Sequence, residues 1–312
     1  MTPAFDVTGI GLNATDTLLL VPRFPAYAGK AAFEQEILSP GGQVASAMAA
    51  CARLGLRARY AGTVGDDERA RIQMESLAAC GVDTAGVRVR QGCPNQSAYI
   101  VIDRSTGERT VFWRRDECLR LAPEDVDPGW ILGSRLLHID GHDTAAVGCA
   151  ARLAREHGIP VTADVDTVYH GFEQVLPFVD YLIASSEFPL QWTGENDPRR
   201  ALELIQNEYG MPVAAMTLGA QGALARHGGK FLYSPGYVVD CADTTGAGDV
   251  FHGAFCYCVL QGMNVFESLE FSNAMAALNC RAVGARGGLA TVDEVRDFAS
   301  RAGRRAHPEF AR

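Results

Sequence analysis

Short β-like runs alternate with helix-patterned segments along most of this chain, and that alternation limits its fold more than any other feature. FDVTGIG (5–11), ARYAGTVG (58–65), SRLLHID (134–140), PVTADVD (160–166), DYLIAS (180–185) and PVAAMTLG (212–219) read as strands. GQVASAMAACARLG (42–55), DDERARIQMESLAACG (66–81), TAAVGCAARLAREHG (144–158) and the stretch from Pro198 to Glu208 carry helical spacing. Strands joined through helices of this length imply βαβ crossovers. The expected fold is α/β with three layers, a mainly parallel sheet between two layers of helices.

Two segments break the rhythm, at about 13–38 and 96–115. Both alternate apolar and polar residues and turn at Gly or Ser-Thr-Gly, as antiparallel strands do. They are expected to join into a small β-sheet lid on a single domain spanning 1–312. Alternation puts Tyr99, Val101, Val111 and Trp113 on one apolar face, which predicts a homodimer formed through the lid. The basic tail RAGRRAHPEFAR is expected to be loose.

The 312 residues carry 28 Lys plus Arg against 37 Asp plus Glu, a formal charge of -9. No basic field covers the chain, which argues against nucleic acid or an anionic membrane as partner. MTPAFDVTGIG lacks the charged and apolar regions of a signal peptide, and no apolar run reaches the ~18 residues of a spanning helix. The expected location is cytoplasmic. Nine cysteines show no zinc-type pairing, and most sit in apolar runs, as reduced buried thiols do.

The first strand leads into Gly9-Ile-Gly11-Leu-Asn-Ala14, which matches a dinucleotide-binding fingerprint. That motif works only where a helix starts at once and aims its amides at a pyrophosphate. The next residues, TDTLLLVPRFP, are β-branched, leucine-rich and interrupted by prolines, so a nicotinamide site is not expected here. A Walker A loop is absent too.

The sharpest chemical signal is VVDCADTTGAGDVFHGAFCYCVLQG (238–262), read as a strand, a tight loop and a helix. Small residues at Gly246, Ala247 and Gly248 let backbone amides converge on an anion, aided by the positive end of the helix. Asp249 in the first turn is then placed to take a proton from a hydroxyl attacking a phosphoryl group. A plain tight turn with Asp249 as a cap explains the same residues. His138 and His252 lack partner motifs and read as structural, and His142-Asp143 has no serine nucleophile to serve.

DTTGAGDVFHGAF closely resembles the C-terminal signature of the PfkB/ribokinase family of carbohydrate kinases. Gly41-Gly42-Gln43-Val44-Ala45-Ser46, running to Arg53-Leu54-Gly55, resembles its N-terminal signature, and AGTVGDD (61–67) its next segment. The resemblance covers about Phe5 to Phe298. It implies a ribokinase-like fold and an ATP-dependent kinase of a small sugar, a ketose or pentose such as fructose or ribose. A nucleoside kinase and a non-catalytic sugar-binding protein are the alternatives. Asp249 is implied as catalytic base, with Gly246, Ala247 and Gly248 as anion hole. Asp16, Gly41, Gly42 and Ser46 are implied for the sugar, with Lys30 and Arg114 as lid cations. Thr217, Gly219, Gly222 and Asn273 are implied along the nucleotide, Glu187 at magnesium through water, and Asp243 and Thr245 at a potassium ion beside the loop 284–288. The chain departs from relatives at Ser46, where an asparagine is usual, at Ala184-Ser185-Ser186-Glu187, where the NxxE asparagine is missing and Glu187 remains, and at Gln43, often lysine. These changes point to the ketohexokinase and sulfofructose kinase side of the family.

Overall fold

The computed structural model describes residues 3–305 and 309–310. Strands β1 (Val7–Ile10), β4 (Ala58–Val64), β5 (Asp83–Val89), β8 (Leu137–Asp140), β9 (Val161–Val165), β10 (Tyr181–Ser185), β11 (Val213–Thr217), β12 (Ala223–His227) and β13 (Lys230–Ser234) form one nine-stranded sheet. Its order is β13-β12-β11-β10-β9-β8-β1-β4-β5, parallel except for the pairs β11–β12 and β12–β13.

Two helical layers cover it, as the buried, continuously apolar strands require. Leu182 and Ala184 of β10 and Ala214 and Met216 of β11 pack with α4 (Thr144–Glu156) and α6 (Pro198–Tyr209) on one side. Ile183, Val213 and Ala215, one residue out of phase, pack with Phe251, Phe255 and Leu269 on the other. Those three come from α7 (Ala247–Leu260) and α8 (Val265–Asn279), with α1 (Gln43–Arg53) beside them. The remaining helices are α2 (Glu68–Ala79), α3 (Pro128–Leu132), α5 (Glu187–Thr193) and α9 (Val292–Arg301). Among the described residues, no helix is long and apolar enough to cross a membrane.

The two out-of-rhythm segments give β2 (Ala14–Val21), β3 (Gln35–Gly41), β6 (Ser97–Asp103) and β7 (Arg109–Arg114), a second sheet of order β3-β2-β6-β7. Its outer pairs are antiparallel, but β2 and β6 run parallel because they come from separate excursions. The register also corrects the expected apolar face. Trp113 pairs with Ala98 and Val111 with Ile100 on one face, whereas Tyr99 pairs with Phe112 on the other, and all four aromatic or apolar side chains Tyr99, Val111, Phe112 and Trp113 are exposed.

Three further expectations change. Val238-Val239-Asp240 form no strand; the chain pairs only through β14 (Gly236–Tyr237), with β15 (Arg304–Arg305) of the basic tail. That pairing gives part of the tail a fixed place, and 306–308 and 311–312 lie outside the described residues. Cys93 and Cys118 form a disulfide. Both stand in polar loops that the β6–β7 hairpin brings together, whereas the apolar context that suggested reduced thiols fits the fully buried Cys51, Cys256 and Cys258.

Candidate functional site

The chain steps from β1 outward through β4 and β5 to one edge, then from β8 through β9, β10 and β11 toward the other. Between β1 and β8 the direction of travel reverses. In such sheets a crevice opens beyond the carboxyl ends of the strands. A cleft of about 650 Å³ lies there, bounded by Leu12 after β1, Asp164 and Asp166 around the end of β9, Ser185 of β10 and Thr217 of β11. After β1 the chain passes into strand β2 with no helix between, which removes the dinucleotide site that Gly9 and Gly11 suggested.

The loop before α7 forms one wall. Gly246 caps the helix at φ 74°, and a Cβ there would meet Ala285 O at 2.3 Å, so only glycine fits. Buried Asp243 holds the loop: its carboxylate accepts from Thr245 N at 2.8 Å, Thr245 Oγ1 at 2.7 Å and Gly284 N at 2.8 Å. Asn279 donates to Thr245 O and Ala285 O and accepts from Gly288 N. The result is a rigid helix start with Gly246, Ala247, Gly248 and Asp249 all facing the cleft. Amides of a first turn have no acceptor within their helix, so they are available to an anion.

Asp249 is half-buried, with part of its surface open to the cleft. Burial, then the charge of Asp164, pushes its carboxyl up to about 7, against the pull of His252, Arg109 and Arg286. His252, one turn further along α7, places Nε2 3.1 Å from Asp164 Oδ1, and both residues line the cleft. The helix period brings buried His252 to the same wall as Asp249, where the sequence had suggested only a structural role. His138 is fully buried against Thr162, as a structural residue would be.

At the opposite wall, Asp16 of β2 is buried and accepts from Ala98 N at 2.9 Å. Burial lifts its carboxyl to about 6, opposed by that amide and by Arg69 and Arg286. Gly42 also lines the cleft, at φ 90°, and a Cβ would meet Asn13 Cα at 2.3 Å. Gly41 lies behind it, where a Cβ would stand 3.0 Å from Asp16 Oδ2. Ser46 is fully buried and accepts from Arg286 Nε at 3.2 Å, so it supports the wall from behind and is not part of its lining.

Thr217, Gly219, Gly222 and Asn273 come together along a third stretch of lining. Asn273 is fixed by donating to Ser234 O and Oγ. Glu187 starts α5 on the exposed surface and is not part of the lining; Ser185 is.

The small sheet does not bring the expected cations inward. Lys30 is exposed between β2 and β3, and Arg114 is exposed beside Asp116. Arg109, in phase with Val111 and Trp113, reaches the cleft and donates to Thr244 Oγ1 at 2.7 Å. Arg286, not picked out from the sequence as a site residue, is half-buried behind the wall, donating to Ser46, Ser76 and Gly41 O, and burial lowers it to about 10. The in-phase spacing of Arg109, Val111 and Trp113 was a usable signal for the first. A lone arginine in a glycine loop gave none for the second.

Comparisons with known proteins fit this geometry. The profile of the pfkB family of carbohydrate kinases matches residues 7–292. An ATP-dependent ribose-1-phosphate kinase of Halopiger xanaduensis is 29% identical, over 91% of this chain and 95% of its own length. A crystal structure from Agrobacterium tumefaciens, assigned as a candidate ribokinase, is 27% identical with a TM-score of 0.88, over 95% of this chain and 97% of its own. Ribokinase of Arabidopsis thaliana complexed with ribose and ATP has a TM-score of 0.78 at 21% identity, over 96% of this chain and 99% of its own, a likeness of fold.

Proposed function

The chain belongs to the pfkB family of carbohydrate kinases, and from that premise we propose that it moves the γ-phosphate of ATP onto a hydroxyl of a small sugar at the cleft before α7. One observation carries the reading: a carboxylate held near neutrality stands in the first turn of a helix whose amides are open to the same cleft. Asp249 takes the proton of the acceptor hydroxyl. The amides around Gly246, Ala247 and Gly248 hold the phosphoryl oxygens, and Arg109 adds positive charge from the small sheet.

Asp16 offers two carboxylate oxygens to sugar hydroxyls, a pairing suited to a polyol. Gly42, on the lining, admits the ring, with Gly41 behind it. The nucleotide lies along Thr217, Gly219, Gly222 and Asn273, where small residues permit close approach. The ribose-1-phosphate kinase activity of the Halopiger relative makes a phosphosugar a substrate to be tried alongside ketoses and pentoses.

ATP and Mg2+ are expected for kinases of this family. Among the described residues, the cleft has no cluster of three side chains close enough to cage a metal. That suits Mg2+, which keeps its waters and binds mainly through phosphates. Its charge would offset that developing on the transferred group. Asp164 and Asp166 line the cleft and would hold the ion through its waters; Glu187 is exposed and outside the lining. A potassium ion at Asp243 and Thr245 would compete with three donors already on the Asp243 carboxylate. Comparing rates in K+ and Na+ decides that point.

The small sheet acts as a lid in this reading, and its outer face supports a homodimer: Leu38, Tyr99 and Phe112 are exposed there. A cytoplasmic location follows from the use of ATP. The deciding experiment is ADP release from Mg·ATP across ketoses, pentoses, phosphosugars and nucleosides, with Asp249→Asn as control. A signal that needs the sugar and vanishes in the variant supports the reading. ATP binding without turnover on any acceptor would leave a binding protein instead.

A further inference from the structure

We propose that Cys241 and Cys280 are a modification site, two thiols at the rim of the cleft that close to a disulfide under a peroxide. Among the described residues, Cys241 is the exposed member of the free cysteines; Cys51, Cys256 and Cys258 are buried, and Cys80 and Cys149 are half-buried. Both Cys241 and Cys280 line the cleft, so an oxidant entering it meets the pair. Their backbones are joined as well: Ala242 N and Asp243 N donate to Cys280 O at 2.8 and 3.3 Å.

Cys241 is exposed and Cys280 half-buried, on two segments held together by those backbone hydrogen bonds. The exposed member is therefore the nucleophile and the sheltered one the resolving thiol, the division of roles a sensor pair needs. In the first step the Cys241 thiolate attacks one peroxide oxygen and the O–O bond breaks. The departing oxygen takes a proton and leaves as water, and Cys241 becomes a sulfenic acid. The Cys280 sulfur then attacks Cys241 Sγ, the S–O bond breaks and a second water leaves. Two thiols give two electrons, and hydrogen peroxide is reduced to two waters.

Closure has a mechanical consequence. It draws the two sulfurs to a bond of about 2 Å, at a segment that continues directly into Asp243, Thr245 and Gly246. The turn of the small sheet rests on the same sulfur, since a Cβ built on Gly107 would lie 3.2 Å from Cys241 Sγ. Displacements of about 1 Å around a reacting centre cost up to ~10²-fold in rate. The effect on turnover rests on the kinase reading; the disulfide does not.

The test treats the full chain with hydrogen peroxide, blocks remaining thiols by alkylation and maps peptides by mass spectrometry. The expected result is a Cys241–Cys280 link, at least ~10-fold slower ADP release, and recovery with dithiothreitol. In Cys280→Ser the link disappears and dimedone traps Cys241 as the sulfenic acid. Both cysteines recovered as free thiols after treatment would overturn the proposal, and a full link with unchanged ADP release would overturn its effect on turnover. If the reduced protein turns over no acceptor, the kinase reading fails while peptide mapping still decides the thiol pair.

Discussion

The two walls of the cleft are built by different means. Beside α7 the site is mostly backbone: one contiguous loop, Asp243 to Asp249, pinned from behind by Asp243 and Asn279. On the small-sheet side it is made of side chains, Asp16, Arg109, Val111 and Trp113, brought together by the pairing of β2 with the distant β6–β7 hairpin. A backbone site depends on what is absent, so glycine is its critical residue. A side-chain site depends on register, and a shift by one residue would turn every group away.

The hardest test of the first wall is Asp249→Asn, which preserves shape and removes the base. Turnover should fall by about 10³-fold or more, with an unchanged circular dichroism spectrum. Wild-type rates in this variant would sink the assignment. Gly246 and Gly248 then separate scaffold from cradle. Gly246→Ala puts a methyl against Ala285 O at a positive φ and should cost about 2 kcal/mol in stability, together with ~10²-fold in kcat. A Cβ at Gly248 has no atom within 4 Å, so Gly248→Ala should melt like wild type. If the cradle reading holds, it still loses rate, because the methyl stands where the phosphate would lie.

For the second wall, Arg109→Gln and Arg114→Gln form the comparison. A charge-assisted hydrogen bond is worth about 1.5–3 kcal/mol, so Arg109→Gln should lower kcat/KM by roughly 10- to 100-fold. Arg114, exposed beside Asp116, should change it less than about two-fold. Equal effects would mean that the sheet repositions when substrate enters. A smaller effect is expected outside the cleft. Tyr99→Lys with Phe112→Glu should shift light scattering from dimer to monomer while leaving kcat within about two-fold.

The same contrast explains what could be read before any coordinates. The strands of the large sheet and their helices were legible because burial on both faces leaves long apolar runs and clear helical periods. The anion loop was legible because its residues are consecutive. Val238-Val239-Asp240 misled because β-branched residues there approach the loop without a partner strand. Val111 and Trp113 were assigned to the face of Tyr99 because cross-strand register depends on the length of the turn, which alternation alone does not reveal. The pairing of His252 with Asp164 was not legible, since Asp164 lies on a strand 88 residues earlier. Cys93 and Cys118 were missed for the same reason: a hairpin of unknown register stood between them.

The pH dependence of the enzyme joins both walls. Asp249 accepts a proton only when ionised, so kcat should fall as pH drops through about 7, where burial and Asp164 have moved its carboxyl. Asp164→Asn removes the repelling charge and should move that limb to lower pH, while Arg109→Gln removes an attracting one and should move it higher. Stability carries the opposite sign. The folded carboxyl lies above its unfolded value of ~4, so between about 4 and 7 the folded state holds more protons and stability declines as pH rises. Asp16, raised to about 6 by burial, adds to the decline over the lower part of that window. Asp249→Asn should therefore melt closer to wild type at pH 5 than at pH 8, where it should be the more stable protein. Thermal melts of both at the two pH values check this, and an equal gap at both would show that Asp249 titrates as an ordinary surface carboxylate.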